Sequence, residues 1–187
     1  ILEYIDNPSD SLIRSALAQS GWAIRYITNP SEELQLEAVK ANYDALQYIK
    51  EPSEVVQLQA VQENYLALRY INEPSVAVLE AAVKQDPQAM RQITNLSKEL
   101  ALYLFKVSAP ILGYIPNTLG VTVDEIKSII VEAISSDNID ADYVRELINN
   151  KAIGGRQSKW PIDLLSLIDA YGTRAVKKIA VGEYLKY

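Results

Sequence analysis

Four prolines, Pro8, Pro30, Pro52 and Pro74, stand 22 residues apart, and the text around each recurs: YIDNPS at 4–9, YITNPS at 26–31, YIKEPS at 48–53 and YINEPS at 70–75. A period of this length constrains the fold more than any other feature. A unit too small to bury its own apolar face must stack on its neighbours. The register continues past the last proline, with Leu96 in the proline column, Ser97 in the serine column and Tyr114-Ile115 where Tyr-Ile is due. Five units result, 8–29, 30–51, 52–73, 74–95 and 96–117, preceded by a half unit over 1–7. The fifth is degenerate. Leu104 and Phe105 occupy columns held elsewhere by Ala and by Val or Leu, and bulkier residues in a last repeat suggest a change of packing.

Each unit reads as two short helices. The serine column (Ser9, Ser31, Ser53, Ser75, Ser97) follows the proline, so either the serine is the N-cap or the proline sits at N1 behind a different cap. A second start signal comes halfway along, at Ser20, Asn42, Asn64, Asp86 and Ser108, all residues able to accept a bond from an orphan helix N–H. The apolar columns agree. Leu34, Ala38 and Val39 recur as Val56, Ala60, Val61 and as Val78, Ala82, Val83. In the second helix Ala45, Leu46 and Ile49 recur as Ala67, Leu68, Ile71 and as Ala89, Met90, Ile93. These are helical faces, not the alternation of a strand. Helices of roughly 8–10 residues would be marginal alone, so stacking has to stabilise them.

Composition narrows the chemistry. The chain of 187 residues has no cysteine and no histidine. Disulfides and thiolate metal sites are therefore excluded, and the commonest general base and zinc ligand are missing. No Ser-x-x-Lys occurs. The acidic pairs Glu32-Glu33, Asp124-Glu125 and Asp140/Asp142 each lie in a first helical turn, where carboxylates complement the macrodipole. The expectation is a protein that is not an enzyme, with no cofactor, no metal and no small-molecule substrate. No apolar run approaches the roughly 18 residues of a transmembrane helix, so no membrane is expected as partner. Residues 1–96 carry 7 Lys+Arg against 13 Asp+Glu, and residues 97–187 carry 11 of each. An acidic repeat region argues against nucleic acid and suits a basic partner or solubility.

The text NPSEELQLEAVKANYDALQYI at 29–49 and EPSEVVQLQAVQENYLALRYI at 51–71 resembles a family of short helical-hairpin repeats found in bacterial, bacteriophage and giant-virus proteins. The resemblance covers about 8–117 and implies the hairpin fold. It carries no defined activity. It also implies a phage or virus as source, and with the absence of cysteine it suggests a cytoplasmic location, in a host or in a virion. The departures, Leu96 for proline and Gln92 in the tyrosine column, fall in the last repeats.

The period is lost after Asn117, and 118–187 reads as a C-terminal helical domain or cap. Thr122 to Glu125 is a capping box opening a helix to about Ser136, and Asp140 caps a second helix through Asn150. Gly154 to Lys159 is a loop, Pro161 starts a third helix ending near Gly172, and Thr173 opens a last one. The glycine loop lacks the P-loop spacing and follows no strand. With Lys151, Arg156, Lys159, Arg174, Lys177 and Lys178 it forms a candidate basic patch for phosphate or nucleic acid, in a region neutral overall.

The expected fold is all-α: an α-solenoid of five 22-residue helical hairpins followed by a small helical cap or bundle. The expected function is protein binding. The tyrosine column (Tyr4, Tyr26, Tyr48, Tyr70, Tyr114) lies at the edge of the second helix's apolar stripe, beside the polar column Arg25, Gln47, Arg69 and Arg91. Rings there either cover the seam to the next repeat or form an exposed ridge of the amphipathic kind enriched at interfaces. Trp22 is the candidate anchor, because Asp44, Leu66 and Gln88 hold the equivalent positions. The alternative is a structural component of a virion or other assembly, packing against copies of itself.

Overall fold

A serine opens the first helix of every hairpin. Ser9, Ser31, Ser53, Ser75 and Ser97 all have extended backbone, and each hydroxyl accepts the N–H three residues on. The serine is thus the N-cap in all five hairpins, and it starts five α-helices of ten residues: α1 Asp10–Gln19, α2 Glu32–Ala41, α3 Glu54–Glu63, α4 Val76–Gln85 and α5 Lys98–Val107. The side chains of Gln35 and Gln57 fold back to the carbonyls of Pro30 and Pro52, both at 2.9 Å. Before the prolines, Asn7, Asn29 and Glu51 turn the chain in the left-handed region, which asparagine tolerates better than glutamate.

The computed structural model describes residues 2–185 and is all-helical, with no strand among them beyond one isolated bridge between Ile153 and Trp160. The second element of each hairpin differs from expectation. It is a 3₁₀ helix of five or six residues, Gly21–Tyr26, Tyr43–Tyr48, Tyr65–Tyr70, Pro87–Gln92 and Ala109–Gly113, shorter and tighter than a second α-helix. The midway residues Ser20, Asn42, Asn64, Asp86 and Ser108 explain why. Each ends the α-helix by donating its backbone N–H to the carbonyl four residues earlier, and each is at once the N-cap of the next element. One extended residue serving both ends leaves only a short stretch before the next proline.

The chain forms two compact units, 1–93 and 94–187. In the N-terminal unit four hairpins stack in chain order, α-helix against α-helix and 3₁₀ helix against 3₁₀ helix. Every residue of the columns Leu34-Ala38-Val39, Val56-Ala60-Val61 and Val78-Ala82-Val83 is buried. So are Ala45, Leu46, Ala67, Leu68, Ala89 and Met90. The fully buried alanines set a close approach between neighbouring helices. Side chains also link hairpins across the period: Asn42 Oδ1 accepts from Gly21 N–H at 2.8 Å, Gln85 Oε1 from Tyr65 N–H at 3.2 Å, and Glu32 from the Ser53 hydroxyl at 2.6 Å. Ser75 repeats the last of these with Glu54. Arg14 lies among Asp10, Glu33 and Glu37, and hydrogen bonding to Glu33 and then Asp10 raises its pKa.

The repeat text and the compact units part company at the fifth hairpin. The text runs to 117, whereas the hairpin of α5 and Ala109–Gly113 belongs to the C-terminal unit. The bulky residues explain this. Leu104, Phe105, Ile111, Leu112 and Ile115 are fully buried in a core shared with α6 Val123–Ser135 and α7 Ala141–Ile148. Phe105 and Tyr143 rings lie 6.1 Å apart, and the Tyr143 hydroxyl donates to the Phe105 carbonyl at 2.8 Å. Burial pushes the Tyr143 phenol well above its ordinary range. Trp160 donates its indole N–H to the Leu112 carbonyl at 2.9 Å, and Asn150 donates to the Ala109 carbonyl at 2.7 Å. The described residues from 118 to 185 therefore close over the fifth hairpin.

The capping box at Thr122 and Glu125 is present, and Asp140 and Thr173 cap α7 and α9 Arg174–Tyr184. The third helix of this segment, α8, starts later than Pro161. It spans Leu164–Tyr171 with Asp163 as its cap, because Trp160 and Ile162 on either side of the exposed Pro161 are held in the core.

One pH dependence follows from the capping box. Glu125 is held down to about 2, first by the Lys98 ammonium at 2.7 Å and then by the Thr122 backbone N–H and hydroxyl. A carboxyl lowered in the folded state contributes stability fully present above its ordinary value of 4.5. That contribution is lost as pH falls through the folded value. The difference in stability between the protein and Glu125→Gln should therefore shrink as pH falls from about 4.5 to about 2. Urea titrations at stepped pH check it; a difference constant over that window would contradict it.

Candidate protein-binding edge

The four 3₁₀ helices between Gly21 and Gln92 bury Ile24, Leu46, Leu68 and Met90, the last three each with the alanine before it, and leave their last two residues at or near the surface. Arg25, Gln47, Arg69 and Arg91 are all exposed there. Of the tyrosines beside them, Tyr26 is 38% and Tyr48 39% exposed, enough to present part of each ring, and Tyr70 is half-buried. Tyr4, on the short 3₁₀ helix Leu2–Tyr4, is 84% exposed. Tyr26, Tyr48 and Tyr70 thus each keep part of the side chain at the surface and part of it covered.

Two of the arginines, Arg25 and Arg69, lie over rings. Arg25 Cζ is 4.6 Å from the Tyr26 centroid and 6.0 Å from that of Tyr48, so one guanidinium bridges two hairpins. Its bond to the Tyr26 hydroxyl raises its pKa. Arg69 Cζ is 5.8 Å from the Tyr70 centroid, and its Nε donates to the Leu66 carbonyl at 3.1 Å. Gln47 takes the same posture, donating to the Asp44 carbonyl at 2.9 Å. Such contacts preorganise the long side chains along the edge, at little further entropy cost on binding.

Trp22 is 45% exposed, and its indole N–H donates to Asp44 Oδ1 at 2.7 Å. Sequence reasoning singled out Trp22 and missed Asp44 as its partner, although the two stand one period apart. It also missed the cleft beside Tyr48, a space of about 310 Å³ lined by Ile27, Asn29, Pro30, Gln35, Ile49 and Lys50 as well as the tyrosine.

Charge divides along the hairpins. The four 3₁₀ helices between Gly21 and Gln92 carry three arginines and one aspartate. Helices α1 to α4 carry seven acidic and three basic residues. With their caps and turns counted, the stretches between α-helices are neutral, Arg25, Lys50, Arg69 and Arg91 standing against Asp44, Glu51, Glu73 and Asp86, so the net acidity of the four hairpins sits on the α-helices.

The other candidate residues lie in the C-terminal unit. Tyr114 is half-buried at the end of the fifth hairpin. Of the basic residues, Lys159 reaches the carbonyls of Gly113 and Ile115 at 3.2 and 2.5 Å, where burial lowers its pKa. Lys177 reaches the Asp169 carbonyl at 2.6 Å. Both act as intramolecular caps. Lys151, Arg156, Arg174 and Lys178 are exposed. No helix among the described residues is long and apolar enough to cross a membrane. Compared with protein-family models, with curated proteins and with solved structures, the chain matches none.

Proposed function

We propose that this protein is a non-catalytic binding module that engages a protein partner through the 3₁₀ edge of its N-terminal hairpins. The observation that carries the reading is the stacked arginine–tyrosine column, with Arg25 over both Tyr26 and Tyr48 and Arg69 over Tyr70. Tyrosine, tryptophan and arginine are the residues most enriched at interface hot spots, and here they are repeated along one edge. The lack of histidine and cysteine supports a role without catalysis. If the source is viral, as the repeat text implies, the partner is a host protein.

The test is affinity capture from lysate of the source or its host, comparing the protein with Arg69→Glu/Tyr70→Ala. Both positions are at or near the surface, so the fold should survive, which circular dichroism verifies. The reading expects a specific partner whose recovery falls at least tenfold with the variant. Equal recovery would overturn it.

A second reading, a component of an assembly, is favoured by the exposed Leu165, Tyr171, Val181, Tyr184 and Leu185 on and beside α8 and α9. Light scattering across a wide concentration range separates the two. A monomer throughout fits the binding module, and concentration-dependent growth fits the assembly.

A further inference from the structure

We propose that the loop over 154–159 is a processing site, cut after Arg156 by proteases of trypsin-like specificity, and that the two pieces stay folded together. The reaction is hydrolysis. Water adds across the Arg156–Gln157 peptide bond, leaving a carboxylate on Arg156 and an ammonium on Gln157. The cleavage involves the C-terminal unit alone and none of the candidate binding edge around Tyr26 to Tyr70.

A protease draws several residues of chain into its cleft, so the bond cut first is one whose neighbours can leave the fold locally. Gly155, Arg156 and Gln157 are all exposed and lie outside every helix, and none of residues 154–159 is buried. The tip is one turn, closed on the Gly155 carbonyl by Ser158 N–H at 2.9 Å and by the Ser158 hydroxyl at 2.8 Å. Opening it exchanges these bonds for bonds to water and disturbs no core side chain. Of the other described basic residues, all but Lys50, Lys151 and Lys159 lie within helices. Lys50 is followed by Glu51 in the left-handed region and by Pro52, which has no N–H to pair with a protease. Lys151 leads into Ala152, whose N–H is held by Asn150 Oδ1 at 2.9 Å and whose carbonyl accepts Trp160 N–H at 2.8 Å. Lys159 precedes the buried Trp160 and reaches the carbonyls of Gly113 and Ile115. Arg156 is left as the first site.

The pieces stay together because the loop has a fixed neck. Trp160 N–H donates to the Ala152 carbonyl at 2.8 Å, and Gly154 N–H to the Trp160 carbonyl at 3.2 Å. Both sides of the neck are anchored on the fifth hairpin, Asn150 on the Ala109 carbonyl at 2.7 Å and the Trp160 indole on the Leu112 carbonyl at 2.9 Å. Further on, Thr173 N–H donates to the Ile134 carbonyl at 3.1 Å, and Asn149 donates to the Glu183 carboxylate at 3.2 Å. The buried Trp160, Ile162, Leu164, Ile168, Val176 and Ala180 all lie on the C-terminal piece, which holds it by apolar burial as well. Cleavage thus turns a covalent link into a docked one, and the C-terminal piece leaves only when the core opens.

The test is digestion of the folded full chain with a small amount of trypsin, read by intact mass spectrometry and by size-exclusion chromatography. The first cut is expected between Arg156 and Gln157. Both pieces should then elute together at the volume of the uncut protein and separate in urea. Arg156→Gln should slow the first cut at least tenfold, and Arg156→Lys should retain it. A first cut at another bond, an undiminished rate in Arg156→Gln, or pieces that part without denaturant would overturn the inference.

Discussion

Phe105→Ala should destabilise the C-terminal unit by about 3–5 kcal/mol, the range for removing a fully buried phenylalanine. Phe105 has no exposed surface, and the Tyr143 ring lies 6.1 Å from it in the same core. Little can collapse into the space. The Tyr143 hydroxyl is tied to the Phe105 backbone carbonyl, and Leu104, Ile111 and Leu112 are themselves fully buried. The measurement is urea unfolding followed through Trp160, which is buried in this unit, in a Trp22→Phe background that silences the other of the two tryptophans. A midpoint loss worth under about 1 kcal/mol would contradict the placement of Phe105 at the centre of this core.

Gly21→Ala should cost about 2–4 kcal/mol in the N-terminal unit, far more than one added methyl usually does. A β-carbon there would press into the Ala38 carbonyl oxygen and lie 3.1 Å from the Asn42 nitrogen, both backbone atoms of the next hairpin. Moving the hairpins apart to admit it breaks the 2.8 Å bond from Gly21 N–H to Asn42 Oδ1 and disturbs the Trp22–Asp44 bond beside it. The same column holds Tyr43 and Tyr65 in the following hairpins without harm. There the partners differ: Asn64 Oδ1 accepts from Leu66 N–H of its own hairpin, and Tyr65 N–H is met by the longer Gln85 side chain at 3.2 Å, which reaches across a wider gap than Asn42 does. Unfolding followed through Trp22, in a Trp160→Phe background, should show the loss. An unchanged midpoint would mean that hairpins one and two are not in this contact.

These two sites also mark what the sequence could convey. The buried columns were legible because an apolar stripe at helical spacing is one local rule, whereas the serine column left two cap placements open until each hydroxyl was seen to accept the N–H three residues on. The second helix was not legible. Its i, i+1, i+4 stripe fits one 3₁₀ turn as well as an α-helix, and only the double duty of Ser20, Asn42, Asn64, Asp86 and Ser108 as stop and start fixes its length. Repeat text follows register, not packing, which is why it ran to 117 while the core changes over at Thr94. Leu104 and Phe105 were the visible sign of that change. At the candidate binding edge the columns of tyrosine and arginine could be read directly. The stacking of Arg25 across two hairpins could not, since it depends on how closely they approach.

The most direct test of the binding edge is site-specific photo-crosslinking. A photo-reactive amino acid is placed at Gln47, exposed among the 3₁₀ helices, and in a parallel sample at Glu54, exposed at the start of α3 on the acidic edge. Both samples are irradiated in lysate. The account predicts a discrete cross-linked partner from position 47 that is absent at position 54 and is suppressed by adding Arg25→Glu. Equal cross-linking from both positions, or a partner seen only from position 54, would contradict it.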